Sequence, residues 1–491
     1  MKSKTLKFLP GAFSWSMYDW ANSSFAVTIM SGFFPIFFSS YWSVNTEGTE
    51  STFWLGVSLS VSGLIVAVMA PIMGAIGDRS SARKSLLLIF AFIGICATGG
   101  LYFVAKGNWQ GAALLYVLAM VSWLNANSLY DSLIVNVASE ENVDFLSGFG
   151  FAVGYLGGGL LFAFNVVMVL NPALFNLIDP TAQRLASDFE SVLPTDLAAF
   201  KAAVATLGDS FAAYKASVAR ATEISASLLT PLRDALSSAK AVGVQISFLT
   251  VAVWWALFAL PLLFFVKEKK ATESISLSTA IRDGFSNFFK TAREIMGMRN
   301  LMLFLLAYWL YIDGVDTVIS MAVDYGKKIG FKTSDLITAL LLVQFVGFPF
   351  AILFGFLGQK FGPKPMILFS IVVYLFVTTF AYNIDDKPVA ILGKNIPKFF
   401  ILAFMIGLVQ GCIQSMSRSL YARLVPEEKA GSYFGFYNML GKFATIFGPM
   451  IIAIVTKTTG NQRLGFVSIS VLFLLGGFIL LKVKVPKSAA A

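Results

Sequence analysis

Long apolar runs recur along the chain and are separated by short polar segments. Twelve of these runs are long enough to cross about 30 Å of hydrocarbon as α-helices. They predict membrane spans over 12–42, 53–77, 84–105, 110–137, 147–172, 244–266, 300–323, 335–358, 366–384, 398–422, 432–455 and 464–483. The first run is too long and too polar to be the core of a signal peptide. The pattern predicts an all-α membrane protein with twelve transmembrane helices.

The composition agrees with this class and argues against several kinds of chemistry. Hydrophobic residues make up 57% of the 491 positions, and 48 of them are Phe. The chain has no His, and its two cysteines, Cys96 and Cys412, both lie within predicted spans. Neither a disulfide framework, nor a metal site, nor a cofactor is therefore expected. No nucleophile elbow is present either, so the sequence does not predict an enzyme.

The basic residues predict how the chain lies in the membrane. An even number of spans puts both termini on the same side. That side, with its turns, carries 20 Lys and Arg residues, against 9 in the short loops opposite. The positive-inside rule then places both termini in the cytoplasm. The net charge of +10 is explained by topology and by attraction to anionic lipid, so no nucleic-acid partner is expected.

Two six-span halves are predicted because short motifs recur in the same order. Gly74-Ala-Ile-Gly-Asp78-Arg79 follows the second span, and Gly355-Phe-Leu-Gly-Gln359-Lys360 follows the eighth. Parallel repeats of this kind are typical of secondary transporters. The predicted units are residues 1–175 with spans 1–5, an insert at 176–243, span 6 at 244–266, a basic linker at 267–299 with an amphipathic helix near 280–289, and residues 300–491 with spans 7–12.

The insert at 176–243 differs in character from the spans around it. Alanines and charges of both signs recur along it, too often for a helix that crosses lipid. Apolar residues from 200 to 221 step by four and three, which predicts a heptad seam, and Pro194 and Pro231 predict helix boundaries. We expect a water-exposed helical cap on the external side. It could gate the external mouth, bind a partner, or pack only on itself.

A few polar and ionisable residues lie inside the predicted spans. In span 1, Asp19, Asn22 and Ser23 share one helical face. A carboxylate is costly in hydrocarbon unless it faces a water-filled cavity or a partner. The alternative for Asp19 is a hydrated helix end, and for the others a lock within one bundle. Including this face, the candidates for substrate binding or coupling are Asp19, Asn22, Ser23, Asp131, Asp313, Asp316, Gln410, Gln414, Arg418, Asn438 and Lys442.

Lys442 is expected near the middle of span 11. A buried cation without a partner is very costly, so we expect it to pair with Asp19 or with an aspartate of span 7. Proton coupling would need a carboxylate, since the chain has no His, and Asp19, Asp313 and Asp316 are the candidates. Facilitated diffusion is the alternative.

The turn after span 2, Gly74-x-x-x-Asp78-Arg79 followed by Arg83-Lys84, resembles the loop signature of the major facilitator superfamily. The second-half copy has Gln359 where the first has an acid. Within that superfamily, Tyr18-Asp-Trp-Ala-Asn-Ser23 is similar to the branch that contains the fungal vacuolar amino-acid effluxers. The segments 313–318, 417–423 and 435–442 resemble the same branch.

This resemblance implies a transporter of two six-helix bundles that rock about a central cavity. It implies export of small organic solutes, with amino acids as the candidate class and spans 1, 4, 7 and 10 lining the cavity. The implied partners are the lipid bilayer, a small solute and, if transport is coupled, protons. A monomer is expected, in a bacterial inner membrane or a eukaryotic vacuolar membrane. A lipid or drug exporter, and a receptor or scaffold that uses the external cap, are the alternatives.

A conformational latch is expected at the turns of the two halves. We expect Asp78 to contact the N-terminus of span 11, where a negative charge is favoured by the helix dipole. The latch residues are Gly74, Asp78, Arg79, Arg83, Gly355, Gln359 and Lys360.

Overall fold

The computed structural model describes residues 10–46, 48–180, 182, 212–268, 279, 284–331, 333–385, 387–391 and 394–485. Inside these ranges the side chains of Arg79, of 212–233, of 284–287 and of 442–446 are among those left undescribed. Within the described ranges the strands form one short hairpin, β1 at Val389–Ile391 and β2 at Lys394–Ile396, and the other regular elements are helices.

Twelve helices form the membrane-spanning body, as the apolar runs predict. Eleven described segments are long and apolar enough to cross a membrane. The twelfth, Ala430–Thr459, has 30 residues and is about 45 Å long at 1.5 Å per residue. The spans are Pro10–Trp42 (span 1), Phe53–Asp78 (2), Arg83–Phe103 (3), Trp109–Val137 (4), Val143–Leu170 (5), Asp234–Phe265 (6), Arg299–Ala322 (7), Asp335–Phe361 (8), Pro363–Asn383 (9), Lys398–Leu424 (10), Ala430–Thr459 (11) and Gln462–Lys482 (12).

The continuous helices extend beyond several of these limits and carry local irregularities. Span 1 is α-helical over Pro10–Ser24, then contains π-helical segments at Phe25–Phe33 and Phe38–Trp42. Span 12 is divided into Gln462–Val467 and Ser470–Lys482. Six further α-helices have bounds that differ from the membrane spans given above: Gly48–Ser80, Arg83–Gly100, Trp109–Ser132, Ala212–Phe265, Arg299–Lys328 and Thr333–Phe361. A linker helix lies at Gly284–Gly297.

Span 6 and part of the insert form one helix. Ala212–Phe265 has 54 residues, so it is about 80 Å long and extends far past the membrane thickness. The helix continues through position 231, so the boundary predicted at Pro231 is wrong. Residues 183–211, which hold Pro194 and the start of the heptad seam, lie outside the described part of the chain.

The two halves meet at one end of the molecule, which we call the linker face because it carries the linker helix and the turns after spans 2 and 8. Span 5 packs along span 8, and span 2 along span 11. A Cβ at position 148 would lie 2.7 Å from the Gly355 Cα, and a Cβ at position 74 would collide with the Gly431 carbonyl. Only glycine allows these two backbones to approach so closely.

Hydrogen bonds between the halves are also concentrated toward the linker face. Among the described residues they extend from the turn around Arg83 as far as Tyr155, in the middle of span 5. Nearer the opposite end, the insert face, the described residues show none. The structure is thus a state in which the two halves are closed at the linker face.

Candidate functional site

Arg418 of span 10 joins the two halves about two helical turns before its span ends at Leu424. Its Nη1 lies 3.1 Å from Oδ1 of Asp131 on span 4 and 3.4 Å from Oδ2 of Asp19 on span 1. Its Nε donates to the Ser147 hydroxyl at 2.9 Å, and its Nη2 donates to the Ser147 carbonyl at 3.0 Å. One guanidinium of the second half therefore binds three helices of the first. We call Arg418, Asp19 and Asp131 the central ion cluster.

Aromatic rings enclose the guanidinium of Arg418. Its Cζ lies 4.4 Å from the ring centre of Phe151, 4.8 Å from that of Trp15 and 5.6 Å from that of Tyr130. Arg418 is only 2% exposed. Burial strengthens the ion pairs and the cation–π contacts, and it also makes an unpaired charge at this place costly.

The position of Asp19 depends on close packing between spans 1, 4 and 5. The Tyr130 hydroxyl donates to Asp19 Oδ2 at 2.8 Å, and the Trp15 indole donates to the Tyr130 carbonyl at 3.0 Å. A Cβ at position 150 would lie 2.6 Å from the same Asp19 oxygen, so Gly150 leaves the space that the carboxylate occupies. Asp19 is thus held by its neighbours and is not a hydrated helix end.

Asp131 connects the central ion cluster to a further helix of the second half. The Asn438 amide on span 11 donates to Asp131 Oδ2 at 3.3 Å. With both carboxylates ionised, Arg418, Asp19 and Asp131 carry a net charge of −1, and one added proton makes the set neutral.

Further polar side chains lie on the side of the central ion cluster that is away from the linker face. Gln414 and Gln410 lie one and two turns along span 10 from Arg418. Tyr155 of span 5 donates its hydroxyl to Gln414 Oε1 at 3.2 Å. The Gln410 Oε1 and Gln344 Oε1 atoms are buried and have no hydrogen-bond partner among the described residues. These groups are available to a ligand.

Asn22 and Ser23 hold span 1 against its own bundle. The Asn22 amide donates to Asn127 Oδ1 at 2.5 Å, and the Trp123 indole donates to the Asn22 carbonyl at 3.1 Å. Ser23 packs against Gly154, where a Cβ would lie 2.7 Å from its hydroxyl. The described contacts of both residues are within the first half.

Asp313 lies apart from the central ion cluster, inside the second half. Its Oδ1 accepts the backbone N–H of Gly448 on span 11 at 2.9 Å and the Thr317 hydroxyl at 3.3 Å. Pro449 follows at once, so the carboxylate supports span 11 where a proline interrupts it. Asp313 therefore holds two helices of one bundle together, which is the alternative to substrate binding or coupling that was stated for it from the sequence.

Asp316 and Lys442 complete the predicted set. Asp316 is half-buried on span 7. The side chain of Lys442 lies outside the described residues, so its pairing stays a prediction. The described partners of Asp19 are Arg418 and Tyr130, which leaves an aspartate of span 7 as the better candidate for Lys442.

We expect Asp313→Ala to destabilise the protein by about 1–3 kcal/mol, since it leaves a buried backbone N–H of Gly448 without its acceptor. Asp313→Asn keeps an acceptor oxygen and should recover most of that loss. Thermal unfolding of the two purified variants measures the difference. Equal destabilisation by both variants would mean that the charge, and not the hydrogen bond, matters.

Asp78 binds the N-terminus of span 11, as expected from the sequence. It accepts the N–H of Gly431 at 2.8 Å and both the N–H and the hydroxyl of Ser432 at 2.7 Å. Arg83 Nε lies 2.9 Å from Asp78 Oδ1, and Arg83 Nη2 donates to the Glu427 carbonyl at 3.3 Å. In this state, which is closed at the linker face, the acid therefore joins span 2 to span 11.

The equivalent place in the second repeat has a different chemistry. The Gln359 amide donates to the Glu141 carbonyl, just before span 5, at 2.8 Å. Gly355 packs on Phe145 and Gly148 of that span. Lys360 is exposed, with its Nζ 5.2 Å from the Phe361 ring centre.

A second acidic residue on the linker face was not identified from the sequence. Asp144, in the first turn of span 5, accepts Arg423 Nη2 at 2.5 Å and the Ser419 hydroxyl. An acid in a first helical turn is usually explained by the helix dipole, so its position alone does not indicate a bond to the other half. From the sequence, Arg423 is one of the basic residues that predict topology and the last residue of the segment 417–423, and neither role indicates a bond to Asp144.

Glu268 supports the same region from beyond span 6. Its carboxylate oxygens accept the backbone N–H groups of Arg83 and Lys84 at 3.1 Å each. Burial raises the pKa of Glu268, while these backbone donors and the Arg83 guanidinium oppose the rise. Among the described residues, no group of three His, Cys, Asp or Glu side chains could hold a metal ion.

Two six-helix halves with a shared ion cluster and a closed linker face define a secondary transporter of the major facilitator type, which acts in the membrane on small solutes. The family model described as "Vacuole effluxer Atg22 like" matches residues 41–186 and 201–491. The chain belongs to this family, and the resemblance inferred from its motifs is confirmed.

Relatives and solved structures agree with this assignment. An uncharacterized MFS-type transporter, YxiO of Bacillus subtilis, is 30% identical and aligns with 95% of this chain and 93% of its own. Autophagy-related protein 22-1 of Aspergillus niger is 23% identical over 96% of this chain and 88% of its own. The human organic anion transporter MFSD10 has a similar fold, with a TM-score of 0.62, 13% identity and coverage of 96% and 99%. The fucose transporter FucP in its outward conformation gives a TM-score of 0.61, 12% identity and coverage of 98% and 99%.

Proposed function

We propose that this protein exports a small zwitterionic solute, with amino acids as the first candidates, by alternating access. The observation that carries the proposal is that Arg418 of one half is shared between Asp19 and Asp131 of the other. The description of the family as effluxers supports the direction.

The chemistry of the central ion cluster suits a ligand with both charges. A guanidinium pairs with a carboxylate through parallel hydrogen bonds, and a carboxylate pairs with an ammonium group. A zwitterion could therefore rearrange the pairs between Arg418 and the two aspartates. Its carboxylate would replace Asp19 on Arg418, its ammonium group would pair with Asp19, and Asp131 would keep its pair with Arg418. Because those pairs also join the two halves, binding would weaken the closure at the linker face.

The predicted orientation gives this state a place in the cycle. The distribution of basic residues puts the linker face in the cytoplasm, so closure there would correspond to an outward-facing state. The insert at 176–243 would then project outside the cell or into the vacuole lumen. The same reasoning supports the division into an N-terminal bundle, an external insert, a cytoplasmic linker and a C-terminal bundle.

Proton coupling follows from the uneven count of acids and bases. Asp19 and Asp131 together exceed Arg418 by one negative charge, so one carboxylate of the cluster can bind a proton or an ammonium group while the other pairs with Arg418. We propose that proton and substrate ammonium compete for Asp19. Transport would then be an exchange of the two.

The test is exchange of labelled amino acids by proteoliposomes at several pH values. Asp19→Asn should reduce exchange at least 100-fold, because a neutral amide cannot hold the substrate ammonium, and should abolish its pH dependence. Asp385→Asn is the matched control, since it removes an aspartate near the protein surface that pairs with Lys398 and accepts the backbone N–H of Lys387. Exchange by Asp19→Asn at the rate and pH dependence of the unmodified protein would contradict the proposal.

A further inference from the structure

The linker helix, Gly284–Gly297, has two faces with different surroundings. Its buried face consists of Phe288, Thr291, Ala292 and Ile295, spaced as one stripe of a helix. Its exposed face is formed by Phe289, Lys290, Arg293 and Met296. The exposed face is unusual for contact with water alone, because it combines two cations with two large apolar side chains.

The buried face contacts both halves of the protein at once. Phe288 packs on Ile72 and Ile76 of span 2 and stacks on Phe436 of span 11 with 5.0 Å between ring centres. Beside it, Glu294 binds Lys429, just before span 11, at 2.7 Å. Spans 2 and 11 are the pair that Asp78 joins. The linker helix is therefore a strap across the closed linker face.

The exposed face adjoins the start of span 7. Only Met298 separates the end of the linker helix from span 7, which begins at Arg299. Phe289 and Met296 are 67% and 64% exposed, and exposed apolar residues continue at Met302 and Leu306 on span 7 itself. The outer surface of the strap is thus continuous along the chain with a surface that faces lipid.

We propose that Lys290 and Arg293 bind the headgroups of anionic lipids while Phe289 and Met296 insert among the acyl chains, and that this binding stabilises the state closed at the linker face. Basic residues beside apolar ones on one helical face are the composition that anionic membrane surfaces attract. The strap contacts span 2 and span 11 together only while the two are adjacent. Lipid that holds the strap in place therefore favours that state.

The test measures closure as a function of lipid charge and needs no substrate. Spin labels report the distance between the linker ends of spans 2 and 11. They are attached at Ser81→Cys and Glu428→Cys, in a chain whose own cysteines are removed by Cys96→Ser and Cys412→Ser. The protein is placed in nanodiscs of phosphatidylcholine alone or with about one-third phosphatidylglycerol. We expect phosphatidylglycerol to raise the ratio of short to long distances about fivefold, the effect of roughly one surface cation.

Lys290→Gln with Arg293→Gln should remove that response. Lys267→Gln with Lys482→Gln is the matched control, because it also removes two exposed cations from the linker face and should leave the response intact. Phe289→Ser, which changes no charge, should weaken the response. Each of three results would overturn the proposal. The ratio of short to long distances would not depend on lipid charge, or the control pair would lose the lipid response to the same extent. In the third, free inorganic phosphate would produce the same closure in neutral nanodiscs.

Discussion

Arg418→Gln is expected to abolish transport and to lower the free energy of unfolding by about 3–5 kcal/mol, the cost of leaving buried carboxylates without their cation. Two acids, Asp19 and Asp131, lose their partner in this variant, and the closed state loses its central bond between the halves. Thermal unfolding of the purified variant measures the stability, and amino-acid exchange in proteoliposomes measures the function.

A triple variant separates folding from function. Combining Arg418→Gln with Asp19→Asn and Asp131→Asn removes all three charges, so stability should return to within about 1.5 kcal/mol of the unmodified protein. Exchange should remain absent, because the three charged groups that are proposed to bind the solute have been removed. Recovery of exchange together with stability would mean that the central ion cluster serves only to hold the helices.

Asp78→Asn is expected to open the linker face. The carboxylate accepts three hydrogen bonds from Gly431 and Ser432 in the closed state, and it also binds Arg83. Loss of the charge should cost the closed state about 2 kcal/mol, since hydrogen bonds to a charged group are stronger than neutral ones. The ratio of closed to open protein would then fall about 30-fold.

Distances between spin labels on the linker ends of spans 2 and 11 measure this shift. Gln359→Ala provides the comparison, because it removes the equivalent contact of the second repeat, which is a single neutral hydrogen bond to Glu141. Its effect should be no more than about fivefold, as expected for about 1 kcal/mol. If Asp78→Asn does not lengthen the distances beyond Gln359→Ala, Asp78 is only a marker of the turn.

The sequence predicts the twelve spans well because an uninterrupted apolar run of membrane length rarely occurs outside a membrane-spanning helix. It also predicts the contact between Asp78 and the start of span 11, since an acid is favoured at a helix N-terminus. The continuous helix through position 231 was not predicted. Proline usually marks a helix boundary, and the sequence alone does not reveal that the insert and span 6 form one rod.

The central ion cluster could be predicted only in part. Asp19, Asp131 and Arg418 are recognisable as charges in apolar spans, but Arg418 is 399 residues from Asp19, and nothing local shows that they meet. Asp313 looks equivalent to Asp19 in the sequence, yet it binds Gly448 within its own bundle. The distinction depends on which face of a helix turns toward the other half, and packing decides that.

Binding of matched small molecules tests the central claim most directly. Purified protein would be heated with an amino acid, with its amide, which lacks the carboxylate, and with its hydroxy acid, which lacks the ammonium group. If the central ion cluster binds both ends of a zwitterion, only an intact amino acid should raise the unfolding temperature, and Arg418→Lys, which lacks the paired donors of a guanidinium, should lose most of that rise. Equal stabilisation by all three compounds, or a rise that Arg418→Lys leaves unchanged, would contradict the account.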